Sequence, residues 1–262
     1  MKNKLTDCHV HLEQGDYTSE WLQKFVDTAV ERNIGELYLL EHCYRFSEFL
    51  PIYTQIRAEN EMMNVWLKRK AGVLELSEYL KFIEQVRKKV YPIKIKFGLE
   101  ICYFEDSVNY IEKITRDKEL DFLVGSVHFV DNLPYDHKLE YWNGFDVNWV
   151  YSKYFELSNS LVKCGIFDGI AHPDCIKIFG HKPDFSLLDL YDELAANIAE
   201  SGMYAEQNGG AHRRYPEIVE AGMHTELIKA MKRHGVRILT ASDAHKPEDV
   251  GLYVQELYEK LG

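Results

Sequence analysis

Short apolar or β-branched segments alternate with longer segments of helical periodicity along the whole chain. Since two parallel strands need a crossover connection, usually a helix, this alternation predicts seven strand–helix units around a parallel sheet. The strands are expected near residues 4–9, 36–41, 95–101, 121–128, 166–171, 202–207 and 236–242. A parallel barrel and a doubly wound sheet both fit this pattern.

The segments between the strands carry apolar residues at helical spacing. The first helix is expected to end at a stop signal near residues 33–35, and the others are expected at 75–90, 105–117, 147–164, 185–201, 222–234 and 247–260. Gly165, Gly202 and Gly235 stand just past three of the predicted helix ends, where C-cap glycines are common.

No linker, low-complexity tract or charge block divides the chain, so we expect a single domain over residues 1–262. A hydrophobic content of 46% is enough for a full-sized core. The stretch 44–74 is too long for an ordinary connection and predicts an extra helical hairpin or a lid. The stretch 129–146 predicts a long functional loop on the same edge of the sheet.

Charge and cysteine content limit the partners and the compartment. The net charge of −11 disfavours binding of extended nucleic acid, although a local cluster of cations could still bind a small anion. The five cysteines are odd in number and mostly lie in apolar segments, so they predict reduced thiols and a cytoplasmic protein. Residues 1–7 are too short and too polar for a secretory signal, and no apolar segment approaches the roughly 20 residues of a membrane span. The oligomeric state stays open.

Metal-ligand residue types stand at the ends of six of the seven predicted strands. His9 and His11 are two residues apart, so both imidazoles of an extended strand point to one face. Asp7 has the same parity and is expected to accept a hydrogen bond from an imidazole N–H, which would fix its tautomer. Asp243 and His245 repeat this spacing on the last strand. Any one such histidine would more often be structural, and the prediction depends on the whole set.

The predicted ligands are imidazoles and carboxylates without thiolates, a donor set that suits Zn, Fe and Mn. They are His9, His11, His42, Glu100, His128, His172, Asp243 and His245. Eight ligands are too many for one tetrahedral ion, so we expect two or three divalent metal ions. A cluster of this kind is typical of hydrolases that polarise a phosphoryl oxygen.

The chain resembles the polymerase and histidinol phosphatase (PHP) superfamily, and within it the histidinol-phosphatase branch. The segments that carry the resemblance are Asp7–His11, Glu41–Phe46, Gly98–Glu100, Gly125–Phe129, Phe167–Asp174 and Ser242–His245. The resemblance implies a distorted (βα)7 barrel, similar to a TIM barrel, with a trinuclear metal cluster at the C-terminal ends of the strands.

The resemblance also implies how the ligands are shared among the ions. Glu100 would bridge two ions, and Asp243 would join His9 and His11. His128 and His172 would hold a second ion, while His42 and His245 would be ligands of a third.

The sequence departs from the family pattern at two places. The superfamily commonly has another histidine shortly after the first pair, whereas residues 12–17 contain none, so Glu13 or Asp16 would have to supply an oxygen ligand. After the sixth strand the chain reads Asn-Gly-Gly-Ala-His-Arg at residues 208–213, where the branch has an Asn-Thr-Ala-Gly-Leu-Arg-like segment. The third metal site and the substrate pocket are therefore left open.

These features predict a hydrolase acting on phosphoric monoesters, in which a metal-bound hydroxide attacks phosphorus without a phospho-enzyme. The catalytic residues would be Glu100, His128, Asp243 and His245. Arg45, Lys177, Arg213 and Arg214 are the candidate phosphate-binding cations, with function favoured for Arg45 and Arg213. His212, as a substrate-binding residue, and His137 could protonate the leaving alkoxide, although ordinary loop surface is the favoured interpretation of both.

The resemblance implies that the substrate is L-histidinol phosphate, an intermediate of histidine biosynthesis. Its ammonium and imidazole groups would contact Glu13, Asp16, Phe129 and Trp142. Two alternatives stay open: a phosphatase or phosphodiesterase acting on another small phosphate ester, and a non-catalytic metal-binding domain. A nucleic-acid-processing module is disfavoured by the acidic charge.

Overall fold

The computed structural model describes residues 4–262, and within that range seven strands form one sheet in chain order. They are β1 (Leu5–Val10), β2 (Ile34–His42), β3 (Lys94–Cys102), β4 (Phe122–Ser126), β5 (Gly169–Ile170), β6 (Tyr204–Asn208) and β7 (Arg237–Ala241). All neighbouring pairs are parallel. The expectation that residues 1–7 are not a secretory signal falls partly on residues 1–3, which lie outside the described residues.

The two edge strands of this sheet meet each other. Just past β7, Ala244 forms a parallel bridge with Val10, and its carbonyl accepts a hydrogen bond from His11 N at 2.7 Å. The Asp7 carboxylate accepts hydrogen bonds from the backbone N–H and the hydroxyl of Ser242 at 2.8 and 2.6 Å. The sheet is therefore a nearly closed barrel, so the predicted barrel is confirmed and a doubly wound sheet is excluded.

The inside of the barrel is filled by side chains. A small buried cluster occupies it, formed by Cys8, Tyr38, Leu40, Phe122, Val124, Ala171, Tyr204 and Ala241. Tyr204 packs so tightly against Gly169 that a Cβ at position 169 would lie 2.4 Å from the tyrosine ring. A barrel that is packed to its axis offers polar groups only at its ends, which is where the predicted ligands stand.

Ten helices surround the sheet in the described part of the chain, and a second, larger core lies between them and the strands. They are α1 (Ser19–Glu31), α2 (Thr54–Glu59), α3 (Glu61–Lys70), α4 (Leu76–Val86), α5 (Val108–Thr115), α6 (Val147–Lys163), α7 (Leu188–Ser201), α8 (Gly210–Arg214), α9 (Thr225–Arg233) and α10 (Val254–Glu259). As predicted, α7 ends at a left-handed glycine, Gly202 (φ 73°).

Two of the predicted elements are shorter than expected. The helix predicted at 247–260 begins only at Val254, because Gly251 and Tyr253 have left-handed φ angles of 72° and 63° that a continuous helix cannot contain. The strand predicted at 166–171 pairs only at Gly169–Ile170, and the left-handed His172 (φ 31°) turns the chain away immediately afterwards.

The two long stretches lie near each other. The extra helical hairpin predicted within 44–74 corresponds to α2 and α3. The predicted loop 129–146 contains one 3-10 turn, Leu139–Trp142. A hydrogen bond of 3.0 Å from the Asn60 side chain to the carbonyl of Asn132 joins the two segments. In the described residues no helix is long and apolar enough to cross a membrane.

Candidate metal centre

Glu100 lies near the carboxyl end of β3 and is only 3% exposed. Its two carboxylate oxygens face different histidines. Oε2 lies 2.7 Å from His42 Nδ1 and 3.5 Å from His9 Nε2. Oε1 lies 3.0 Å from His128 Nε2 and 3.1 Å from His172 Nε2. A carboxylate placed in this way can give one oxygen to each of two ions.

The surrounding histidines stabilise the charge of this carboxylate. Burial alone would raise the pKa of Glu100, but His42, His9 and His128 outweigh burial and lower that pKa well below its usual range. Glu100 is therefore ionised at neutral pH, the form in which a carboxylate binds a cation.

His9 and His11 project to the same side of β1, as their spacing predicts. Their Nε2 atoms are 2.9 Å apart, and Asp243 Oδ1 lies 3.8 Å from the first and 3.7 Å from the second. Glu100 Oε2 is 3.7 Å from His11 Nε2. Two nitrogens and two carboxylate oxygens thus point toward one space.

A further group of histidines lies on the other side of His11. His11, His42 and His245 each offer a nitrogen within 4.8 Å of the others. Glu13 lies beside this group, but its Oε1 is 2.7 Å from His245 Nδ1. In this structure Glu13 therefore orients an imidazole. Asp16, the other residue considered as a substitute ligand, is exposed.

Several nitrogen atoms of the site lack a hydrogen-bond partner within residues 4–262. His42 Nδ1 is 2.7 Å from Glu100 Oε2, yet this nitrogen has no hydrogen-bond partner in the described part of the chain. The buried Nδ1 atoms of His11 and His172 also lack a partner within residues 4–262. Three groups of side chains have the composition of a zinc, iron or manganese site. They are His9 with His11 and Glu100, Glu100 with His128 and His172, and His11 with His42 and His245.

Two of these residues have an unusual backbone conformation. His172 (φ 31°) follows β5, and Asp243 (φ 56°) follows β7. Left-handed φ angles at residues other than glycine cost about 1–3 kcal/mol each and are concentrated at functional sites. With these backbone conformations, the two side chains extend toward the space next to Glu100.

The residues that orient the histidines differ in part from the prediction. Asp7 accepts its hydrogen bonds from Ser242 and from Gly251 N at 2.8 Å, so the prediction that it orients an imidazole is wrong. Glu206 has that position instead, with Oε1 2.8 Å from His9 Nδ1. The error arises because parity places Asp7 on the correct strand face but cannot show which group lies opposite it.

Asp136 is a second orienting carboxylate that sequence reasoning missed. Its Oδ2 lies 2.8 Å from His128 Nδ1. Burial alone would lower the pKa of His128, but the carboxylates of Asp136 and Glu100 outweigh burial and raise this pKa to about 10. The only sequence signal for Asp136 is its place in the predicted functional loop, whereas Glu206 lies inside β6 and carries none.

A cavity of about 250 Å³ opens above the metal-ligand residues. Its walls include the aromatic residues Tyr44, Trp66, Phe129 and His137, together with Asp136, Asp174, Lys177 and Arg214. Lys177 Nζ lies 2.7 Å from Asp174 Oδ2 and 2.6 Å from the carbonyl oxygen of Gly222. Arg214 is exposed and donates one hydrogen bond, to the carbonyl of Asp136 at 3.2 Å.

Two of the four predicted phosphate-binding cations line the cavity. Lys177 and Arg214 line the cavity, whereas Arg45 and Arg213 do not. Arg45 is paired with Glu13 and Glu41, at 3.4 and 3.8 Å. Its guanidinium therefore already lies beside two acidic side chains, which the chain order could not reveal.

Arg213 is engaged by residues near the end of β7 in this structure. It pairs with Asp249 at 3.0 Å and donates to the carbonyl of Asp243 at 2.8 Å, which holds the left-handed turn after β7. His212 Nδ1 lies 2.7 Å from the carbonyl of Val219, away from the cavity. Neither side chain lines the cavity in this structure, so their contact with substrate stays a prediction.

Of the residues expected to contact the rest of the substrate, some line the cavity and others do not. Phe129 lines the cavity, as does His137. Trp142 lies outside the cavity lining, and its ring packs against His181 at 4.3 Å between centroids. Glu13 is engaged by His245 and Arg45.

Comparison with known proteins points to one family. Residues 7–209 match the family model of the PHP domain. A protein of Deinococcus radiodurans named "Probable histidinol-phosphatase" is 27% identical over 265 residues, which cover 98% of this chain and 92% of the relative. A protein of the same name from Clostridium acetobutylicum is 25% identical over 253 residues, covering 94% and 88%.

A solved structure shares the fold. Histidinol phosphate phosphatase from Lactococcus lactis, crystallised with zinc, L-histidinol and phosphate, superimposes with a TM-score of 0.73 at 19% identity. The match covers 98% of this chain and 92% of that chain. At this level of identity the likeness supports the barrel architecture.

Proposed function

The chain belongs to the PHP domain family, and from this premise we propose that it is a metal-dependent phosphomonoesterase that hydrolyses L-histidinol phosphate. One observation carries the proposal: the carboxylate of Glu100 lies between two groups of histidines, beneath a cavity whose wall contains Lys177 and Arg214. Relatives that span nearly the whole chain carry the name histidinol-phosphatase, which supports the choice of substrate.

We propose that the centre holds two or three divalent metal ions. His9, His11, Asp243 and Glu100 would hold the first ion, while His128 and His172 share Glu100 for the second. His42 and His245, with His11, would hold a third. When bound, such ions polarise phosphoryl oxygens and lower the pKa of bound water toward neutrality.

Zinc is the metal that we expect, since the Lactococcus lactis structure contains it. Iron and manganese accept the same imidazole and carboxylate ligands, so the metal supply of the cell decides among them.

The cations of the cavity wall would bind the phosphate group. A phosphate monoester carries two negative charges near neutral pH, and charged N–H donors form its strongest hydrogen bonds. Arg214 is free to turn toward the ester because the one hydrogen bond that it forms within residues 4–262 goes to a carbonyl. Lys177 is already bound to Asp174, so it would add a fixed positive charge at the edge of the phosphate site.

Acidic and aromatic side chains of the same wall would bind the rest of the substrate. Asp174 is 5% exposed and lines the cavity, where a carboxylate can pair with the substrate ammonium. Trp66 and His137 contact each other edge to face at 5.0 Å and offer ring surface to the substrate imidazole. Burial lowers the pKa of His137, so a neutral ring suited to stacking predominates over a proton donor.

The experiment is a substrate panel on the purified, metal-loaded protein. Phosphate release is measured from histidinol phosphate, from sugar and nucleoside monophosphates, and from a phosphodiester. We expect the highest kcat/KM with histidinol phosphate and loss of activity in His128→Ala. The matched control is Asp168→Asn, which changes a carboxylate that binds Leu123 N at the opposite end of the barrel.

The panel separates the alternatives. A higher kcat/KM with another ester would overturn the substrate and retain the hydrolase. Another ester is a competing substrate because the segment 208–213 departs from the family pattern and its Arg213 does not line the cavity. Full metal content without turnover of any ester would indicate a metal-binding domain without catalysis.

We further propose that the protein works in the cytoplasm as a single domain over residues 1–262. The five cysteines are free thiols, and four of them are buried. Unpaired thiols of this kind are typical of proteins in reducing compartments.

A further inference from the structure

Glu206 lies in the middle of β6 and is completely buried. Its carboxylate faces three N–H groups: the ring Nδ1 of His9 at 2.8 Å, the backbone N of His172 at 3.2 Å, and the side-chain amide of Asn208 at 3.0 Å. In residues 4–262 no lysine or arginine pairs with this carboxylate, so its partners lie within the metal centre and its own strand.

We propose that Glu206 is a positioning residue that fixes both halves of the metal centre, by selecting the nitrogen of His9 that faces the ions and by holding the backbone of His172. The proposal depends on the proposed function only in taking these two histidines as metal ligands. It does not depend on which ester is hydrolysed.

The contact with His9 determines the tautomer of this imidazole. Glu206 already accepts the N–H groups of His172 and Asn208, and as an acceptor it pairs with a protonated Nδ1 of His9. The lone pair of Nε2 then points toward His11 Nε2 at 2.9 Å and Glu100 Oε2 at 3.5 Å. Without Glu206 the proton could move to Nε2, where it would compete with a metal ion.

The contact with His172 acts on the backbone. This residue has a left-handed φ of 31°, a conformation that has to be held by its surroundings. Glu206 Oε2 binds its N–H, and the imidazole Nε2 of the same residue then lies 3.1 Å from Glu100 Oε1. One carboxylate thus fixes ligands on both sides of Glu100.

Asn208 extends this network to Asp243. Its side-chain amide donates to Glu206, and its Oδ1 accepts the backbone N–H of Gly210 at 2.8 Å. Gly210 in turn lies directly against the Asp243 carboxylate. Glu206 does not line the substrate cavity, so its effect on turnover has to pass through the ligands that it holds.

The test measures zinc affinity in the folded protein, by competition with a chromophoric chelator. Glu206→Gln keeps the shape of the side chain but replaces one acceptor oxygen with a donor that faces other donors. We expect zinc to bind about 10–100-fold more weakly, the usual effect of removing a partner of a metal-bound histidine. Asp168→Asn, which makes the same chemical change at the opposite end of the barrel, should bind zinc as the wild type does.

A second measurement uses the wild-type protein and so does not depend on the folding of a variant. In the zinc-loaded protein labelled with nitrogen-15 at histidine, His9 should show a protonated Nδ1 and a zinc-bound Nε2. The signal is assigned from its absence in His9→Asn. A zinc-bound Nδ1 would overturn the proposal, as would wild-type zinc affinity in folded Glu206→Gln. Failure to hydrolyse histidinol phosphate would overturn the proposed function alone, since neither measurement uses a substrate.

Discussion

Replacing Gly210 with alanine tests whether Asp243 has to lie where the structure places it. A Cβ at position 210 would lie 2.1 Å from Asp243 Oδ2 and 2.7 Å from its Cβ and Cγ. Ordinary contacts of a Cβ begin at 3.4 Å, so the carboxylate has to move by about 1 Å. The clash involves Cβ as well as the carboxylate, so turning the end of the side chain does not relieve it.

The size of the effect follows from this displacement. The backbone of Asp243 has little freedom to follow, because its φ is 56° and its carbonyl is held by Arg213. Misplacing a group at the reacting centre by about 1 Å costs on the order of 100-fold in rate, or about 3 kcal/mol of transition-state stabilisation. We expect Gly210→Ala to lower kcat/KM for histidinol phosphate by about that factor and to weaken zinc binding.

The neighbouring Gly209 provides a matched control. A Cβ there would meet Leu257 Cδ1 at 3.4 Å and Tyr253 Cβ at 3.5 Å, which are ordinary contacts. Its φ of −92° and ψ of −5° suit alanine. Gly209→Ala should therefore keep its activity within about twofold and change the free energy of unfolding by less than about 1 kcal/mol.

The assay combines phosphate release, elemental analysis and thermal unfolding of both variants. Wild-type kcat/KM and metal content in Gly210→Ala would contradict this expectation, because Asp243 would then work from a displaced position. An equal loss in both variants would also refute it, since the cause would be the folding of the 208–214 segment and not the contact with Asp243.

Three further predictions concern the metals, the phosphate site and pH. Removal of metal by a chelator should abolish phosphate release and lower Tm, with both restored by zinc; activity that survives complete metal removal would contradict the proposed centre. Lys177→Ala and Arg214→Ala should each raise KM about tenfold, because each removes one positive charge from the phosphate site, while Arg116→Ala, at an exposed ion pair, leaves KM unchanged. In the metal-free protein burial disfavours charge on His128, but Asp136 and Glu100 raise its pKa from 6.5 to about 10. The folded state then binds more protons than the unfolded state, so stability should fall as pH rises from about 6.5 to about 10, and an equal slope in Asp136→Asn would contradict this.

The parts of the structure that could be predicted depend on chain periodicity and on parallel strands. Because parallel strands present their carboxyl ends at one edge, ligand types at those ends could be assigned to one site before any contact was known. His9 and His172 are far apart in the chain, yet their ring centroids are 5.9 Å apart.

The residues that could not be predicted depend on contacts between distant side chains. Nothing in the order of residues shows that Arg45 lies beside Glu13 and Glu41, or that Lys177 lines the cavity. Glu206 was missed for the same reason, because a buried polar residue inside a strand carries no motif. Its partner His9 lies 197 positions away in the chain.

The metal centre and the cavity wall are supported in different ways, and this difference decides where specificity can change. His172 and Asp243 hold left-handed backbones that Glu206 and Arg213 secure by hydrogen bonds, so a substitution among these residues displaces ligands. The aromatic wall instead comes from the segments 44–74 and 129–146, which lie outside the strands. The cluster inside the barrel contains no residue of these segments, so their aromatic side chains can change while the barrel interior stays packed. Asp136 is the exception, because it holds His128 by a hydrogen bond. A new phosphate ester is therefore accommodated more readily through the wall than through the centre, which agrees with the general use of loops for specificity on a rigid barrel.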